Sequence, residues 1–247
     1  MTLRPRPAAR PRPVRYDSGL ACSTLAAKDR KLGQLIERAG PFTLRLQPTE
    51  SPFEALLESI VHQQLNGRAA KTIHDRVLAL FQKNAPTPET LLRLPEERLR
   101  AAGLSAGKQA ALRDLAEKTI SGIVPTLSTL RRTPDEDVIA HLTQVRGIGI
   151  WTVEMLLIFR LGRPNVLPVG DYGVRKGFAL TFGTLRPGER VQAENLPDAA
   201  TMRRRAARWQ PWCSVASWYL WRACDLGRAC DLAAEQKDSK PVSRRKQ

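Results

Sequence analysis

Cysteine is scarce in this chain: Cys22, Cys213, Cys224 and Cys230 are all that 247 residues contain. Four thiols so widely scattered exclude a disulfide-stapled scaffold. Histidine is scarcer still, and His62, His74 and His141 lack the spacing of a ligand set, so no zinc site is expected. No apolar run approaches the ~20 residues that span a bilayer, so no membrane partner is expected. Acid is missing from residues 1–15, which hold five Arg among prolines, and this stretch lacks the apolar segment of a secretory signal. The reading is a cytoplasmic chain with a disordered basic arm over 1–18 and a disordered basic tail over 233–247.

Positive charge, by contrast, is abundant. The formal net charge is +16 with a pI near 10.5, and setting aside 1–15 and 237–247 leaves about +7. Such a balance fits either a polyanionic partner or a merely solvated basic surface. A hydrophobic content of 42% suffices for a packed core.

Apolar periodicity is helical almost throughout. Segments 24–39, 52–65, 68–83, 88–100, 106–121, 134–143, 150–161, 172–182, 198–208 and 213–225 read as helices, and 40–47 reads as a short extended stretch. In 52–65, Phe53, Leu56, Leu57, Ile60 and Val61 follow the i, i+3, i+4 rule, with Ser51, Pro52 and Glu54 as N-cap, first-turn proline and capping-box acid. In 133–136, Thr133-Pro134-Asp135-Glu136 reads as a second capping box with Pro134 as the first helical residue. The fold class is all-α.

The chain pivots on Val145-Arg146-Gly147-Ile148-Gly149-Ile150-Trp151-Thr152. Two glycines flank one apolar residue between two helices, over 134–161. That hairpin presents backbone N–H groups at a helix N-terminus, where unsatisfied donors and the helix dipole hold a phosphate oxygen. Ile148 can tuck back between the helices and pin them. Gly147, Gly149 and Thr152 are therefore phosphate-binding candidates, and the positive charge reads as a footprint for nucleic acid. A second helix start, Gly103-Leu104-Ser105-Ala106-Gly107-Lys108, is either a plain N-cap at Ser105 or a further phosphate contact through Gly103, Ser105 and Lys108.

These residues, together with Ser51-Pro52-Phe53-Glu54-Ala55-Leu56, His62-Gln63-Gln64-Leu65, Asp171 and Arg208-Trp209-Gln210-Pro211-Trp212, resemble the helix–hairpin–helix DNA glycosylases, in particular the 3-methyladenine DNA glycosylase II branch. The resemblance covers roughly 50–225. It implies two helical subdomains flanking a cleft, within a helical domain over 19–232. About fifty residues precede Ser51, too few for the N-terminal α/β domain that relatives often add, so the compact form is expected.

The resemblance also implies roles. Asp171, which locally reads as an N-cap, would be the catalytic carboxylate. Trp151, Met155, Trp221 and Trp218 would line the base pocket. Gln64 or Leu65 would fill the gap left by a flipped nucleotide, with Gln63 touching base edges. The carbonyls of Thr143, Val145 and Ile148 would hold Na+ or K+, and no other cofactor is required. The iron–sulfur cluster of some relatives is not expected, because Cys224 and Cys230 match only one of its gaps. Trp151 stands where lyase-active relatives carry Lys, so a monofunctional enzyme is expected; Lys108 and Lys176 lie off that position. The expected substrate is double-stranded DNA with alkylated purines, met by a monomer at the nucleoid. Two other readings stay open here: a glycosylase/lyase for oxidised bases, and a non-catalytic DNA-gripping module.

Overall fold

The computed structural model describes residues 10–238 apart from Pro48, Glu50, Pro187, Gly188 and Arg190. The described chain is helical, with one antiparallel bridge between β1 (Arg12–Pro13) and β2 (Arg45–Leu46). The helices are α1 (Ser18–Lys28), α2 (Arg30–Ala39), α3 (Pro52–His62), α4 (Gly67–Leu78), α5 (Pro88–Leu92), α6 (Glu96–Ala101) and α7 (Ala106–Ile120). They continue with α8 (Leu127–Leu130), α9 (Asp135–Leu142), α10 (Ile150–Leu156), α11 (Tyr172–Phe182), α12 (Ala199–Ala206) and α13 (Cys213–Asp238). Among the described residues no helix is long and apolar enough to cross a membrane.

Contacts divide the described residues into two compact units, 10–13 with Arg45–Leu161, and Val14–Leu44 with 162–238. In the first, α3 packs on α7, with Leu56, Leu57, Ile60 and Val61 of α3 and Leu112 and Leu115 of α7 all fully buried. Each such side chain contributes about 1.5–3 kcal/mol. In the second, α11 packs on α13 so closely that a Cβ at Gly177 would lie 1.9 Å from the Leu220 carbonyl oxygen. That glycine is a condition of the packing.

Several boundaries differ from expectation. The segment 24–39 is two helices, because Asp29 ends α1 with its backbone N–H on Leu25 O and starts α2 with its carboxylate. The segment 88–100 breaks at Pro95, which cannot continue α5 and instead stands before α6. At α3, Pro52 opens the helix as expected, but Ser51 makes no side-chain cap. At α9, Pro134 is the extended N-cap and Asp135 the first helical residue.

The arm expected over 1–18 is paired at Arg12 and Pro13, and Tyr16 packs on Trp212 with ring centroids 5.7 Å apart. Residues 1–9 lie outside the described residues. The tail expected from 233 begins as helix, since α13 runs to Asp238, and 239–247 lie outside the described residues.

Candidate functional site

The hairpin joins α9 to α10 as anticipated. Gly147 adopts φ +78°, a left-handed conformation that glycine takes without strain. Gly149 is the N-cap of α10, and its carbonyl accepts from Thr152 N at 3.0 Å and Val153 N at 3.3 Å. Ile148 and Val145 are buried and pin the turn. A brace invisible in the sequence comes from α7: Asp114 Oδ2 accepts from the Arg146 N–H at 2.6 Å and from Lys118 Nζ at 2.8 Å. Burial pushes the Asp114 pKa up, but these bonds outweigh it and hold the carboxyl below its ordinary value. Lys118 also bonds the Gln144 carbonyl.

The turn after α3 sits against this hairpin. Gln63 Nε2 donates to the Gly147 carbonyl at 2.8 Å. Gln64 has φ +56°, a left-handed conformation that strains a residue bearing a Cβ. Gln64 and Leu65 are exposed. Lys108, expected at a phosphate, places its ammonium beneath this turn, donating to the carbonyls of Val61 at 2.6 Å and Gln63 at 2.9 Å. Ser105 takes its local role and caps α7, accepting from Lys108 N at 3.4 Å. Gly103 has φ +105° at the same bend.

Beside the hairpin lies a cavity of about 560 Å³, within the range of small-molecule pockets. α10 contributes Trp151, Thr152 and Met155, and α3 contributes Glu58, Ser59 and His62. Trp151 is half exposed, so its indole face is accessible. Beyond α10 the helix widens to a π turn over Leu157–Leu161, which brings Arg160 into the lining, 2.5 Å from Glu58 Oε2. Glu58 and Arg160 escaped the sequence reading, and His62 entered it only as part of the matched turn and as a histidine without ligand spacing. The i, i+4 pair Glu58/His62 on the polar face of α3 was the signal available.

In the second unit Asp171 is the N-cap of α11 and half-buried. Its Oδ1 accepts from the Val174 N–H at 2.8 Å and from the Trp221 indole N–H at 2.8 Å. Two directed donors, one at a helix N-terminus, orient the carboxylate. Gly173 makes room for this: a Cβ there would meet Trp221 Cδ1 at 2.8 Å and Asp171 Oδ1 at 3.1 Å. A glycine two residues after the acid, inside a helix that gains nothing from it, was the sequence signal.

The four aromatic and sulfur candidates thus separate. Trp151 and Met155 line the cavity, while Trp221 holds the acid. Trp218 corrects the expectation, for it is buried in the core of the second unit, edge-on to Phe42 at 5.0 Å and to Tyr219 at 4.9 Å. An indole on the buried face of α13 has enough apolar partners to satisfy it there. The candidate cation donors Thr143, Val145 and Ile148 all belong to the hairpin. Val145 O accepts the Ile148 N–H at 3.0 Å, which leaves that oxygen one lone pair for an ion.

Residues 57–196 match the family described as HhH-GPD superfamily base excision DNA repair protein. The chain is 33% identical over 204 residues to DNA-3-methyladenine glycosylase 1 of Schizosaccharomyces pombe, covering 82% of this chain and 86% of that protein. A structure of the S. pombe 3-methyladenine DNA glycosylase in complex with abasic DNA superposes with a TM-score of 0.70 at 33% identity, over 82% of this chain and 95% of that one. The DNA-3-methyladenine glycosidase of Bacillus halodurans gives a TM-score of 0.72 at 36% identity, over 82% and 88% of the two chains.

Proposed function

We infer the function from the family: the chain belongs to the HhH-GPD superfamily of base excision DNA repair proteins, and within it acts as a DNA glycosylase on alkylated purines. The observation that carries this is Asp171, capping α11 with Oδ1 bonded to Val174 N–H and to the Trp221 indole. Loss of an N3- or N7-alkylated purine breaks the C1′–N bond, and the electron pair neutralises the cationic base. Positive charge then builds on the deoxyribose as in other oxocarbenium-like glycosyl transfers. A fixed carboxylate stabilises that cation without reorganising, and it orients or deprotonates the water that adds at C1′. Because the leaving base is already cationic, no general acid is needed.

Trp151 and Met155 supply a soft, aromatic-faced lining on which a cationic base stacks. Trp151 has no amine for Schiff-base chemistry, so the product is an intact strand with an abasic site. The strained Gln64 and exposed Leu65 supply the probe, and the hairpin N–H groups of Gly147 and Gly149 the backbone grip. Na+ or K+ at the carbonyls of Thr143, Val145 and Ile148 adds positive charge for a phosphate; no other cofactor is required. The partner is double-stranded DNA carrying alkylated bases, met by a monomer in the cytoplasm at the nucleoid.

The test is mass spectrometry of bases released from methylated duplex DNA. The wild type releases 3-methyladenine or 7-methylguanine without nicking the strand or being trapped by borohydride. Asp171→Asn binds the same DNA and releases neither. An active Asp171→Asn variant overturns the mechanism.

A further inference from the structure

Three metal-ligating side chains converge in the first unit, two of them also lining the cavity. Glu58 and His62 lie four residues apart on one face of α3, and His74 meets them from α4. Each offers one ligand atom, and these atoms lie within 4.8 Å of one another. This corrects the expectation that the histidines lack ligand spacing, since twelve residues of sequence separate His62 from His74 while their rings meet edge to face at 5.5 Å. His62 Nε2 is buried without a hydrogen-bond partner among the described residues. Folded chains rarely leave a buried polar atom in that state, and an unmet imidazole nitrogen is what a metal ion uses.

We propose that Glu58, His62 and His74 form a binding site for a zinc-class divalent ion that ties the end of α3 to α4. Two imidazoles and a carboxylate suit zinc and its borderline neighbours, whereas magnesium and calcium take oxygen ligands. Arg160 holds Glu58 Oε2 at 2.5 Å, so it orients the carboxylate while the ion uses Oε1. Zinc binds such donors at about 2.0–2.2 Å, so the three groups draw inward by roughly an ångström on loading. The tie spans the turn that carries Gln63, Gln64 and Leu65. Glu58 and His62 also line the cavity, so loading the site alters its wall.

The binding test uses the untagged, metal-stripped full chain without DNA, so it stands or falls independently of the excision reading. Titration with ZnCl2 by calorimetry yields one equivalent bound, and Co2+ gives the visible bands of a four-coordinate site. His74→Asn and Glu58→Gln each weaken binding by about tenfold or more, a loss that even outer-shell changes to metal sites can produce. Imidazole NMR of the wild type adds a readout that needs no variant: with only three histidines, His62 and His74 shift on adding zinc and His141 does not. No saturable binding, equal affinity in folded His74→Asn, or a shift confined to His141 overturns the proposal.

Discussion

At the residue scale, the acid and the indole that holds it work as one unit. A hydrogen bond to a charged group contributes about 1.5–3 kcal/mol, so Trp221→Phe, which keeps the ring and deletes the N–H, lowers kcat for base release about tenfold to a hundredfold. DNA affinity stays close to wild type. Gly173→Ala reaches the same outcome sterically, since its Cβ would press on Trp221 Cδ1 at 2.8 Å. Single-turnover excision rates check both, and unchanged rates in both remove Trp221 from the mechanism. Asp171 was legible in the chain because its neighbours match a family pattern. The indole fifty residues away was read only as a pocket wall, because no local rule joins position 171 to position 221.

At the scale of elements, Asp29 shows how one side chain redraws the helices. The apolar pattern over 24–39 is continuous, yet Asp29 ends α1 with its backbone N–H and begins α2 with its carboxylate. It does so because Arg205 reaches it with two bonds of 2.8 Å and Trp209 with one of 3.0 Å. Burial alone pushes the Asp29 pKa up, and these bonds reverse that, leaving the folded value lowered. A lowered folded value means that the stabilisation is complete above the unfolded value of about 4 and is lost as pH falls through the folded one. Asp29 is 2% exposed and the Arg205 side chain 29%, so removing the charge strands a partly buried guanidinium. Asp29→Asn therefore costs about 3 kcal/mol near neutral pH. In denaturant unfolding from pH 7 down to 3, the gap between variant and wild type begins to narrow as pH falls below about 4; a gap independent of pH refutes the ion pair. The missed break at Pro95 has a simpler cause, a residue whose missing N–H was printed in the sequence.

At the scale of the whole molecule, charge governs the encounter with DNA. With +16 overall, binding to duplex releases condensed counterions, and the logarithm of the association constant falls linearly with that of salt. For about six phosphates neutralised, affinity drops about a thousandfold between 50 and 200 mM salt, measured by fluorescence anisotropy on undamaged duplex. A flat response contradicts a backbone grip.

The sequence by itself determined what depends on neighbours along the chain: helical periodicity, the Gly147-Ile148-Gly149 bend, the cap at Asp171, the excess of positive charge. Those properties follow from backbone sterics and from contacts three or four residues apart, so they can be read without a fold. Only the tertiary structure decided which long-range partners meet. It put Trp218 in a core and Trp221 on the acid, turned Lys108 under the turn that follows α3, and brought His74 to His62. Such pairings depend on how helix faces pack, a cooperative outcome of many side chains that no single stretch of residues encodes.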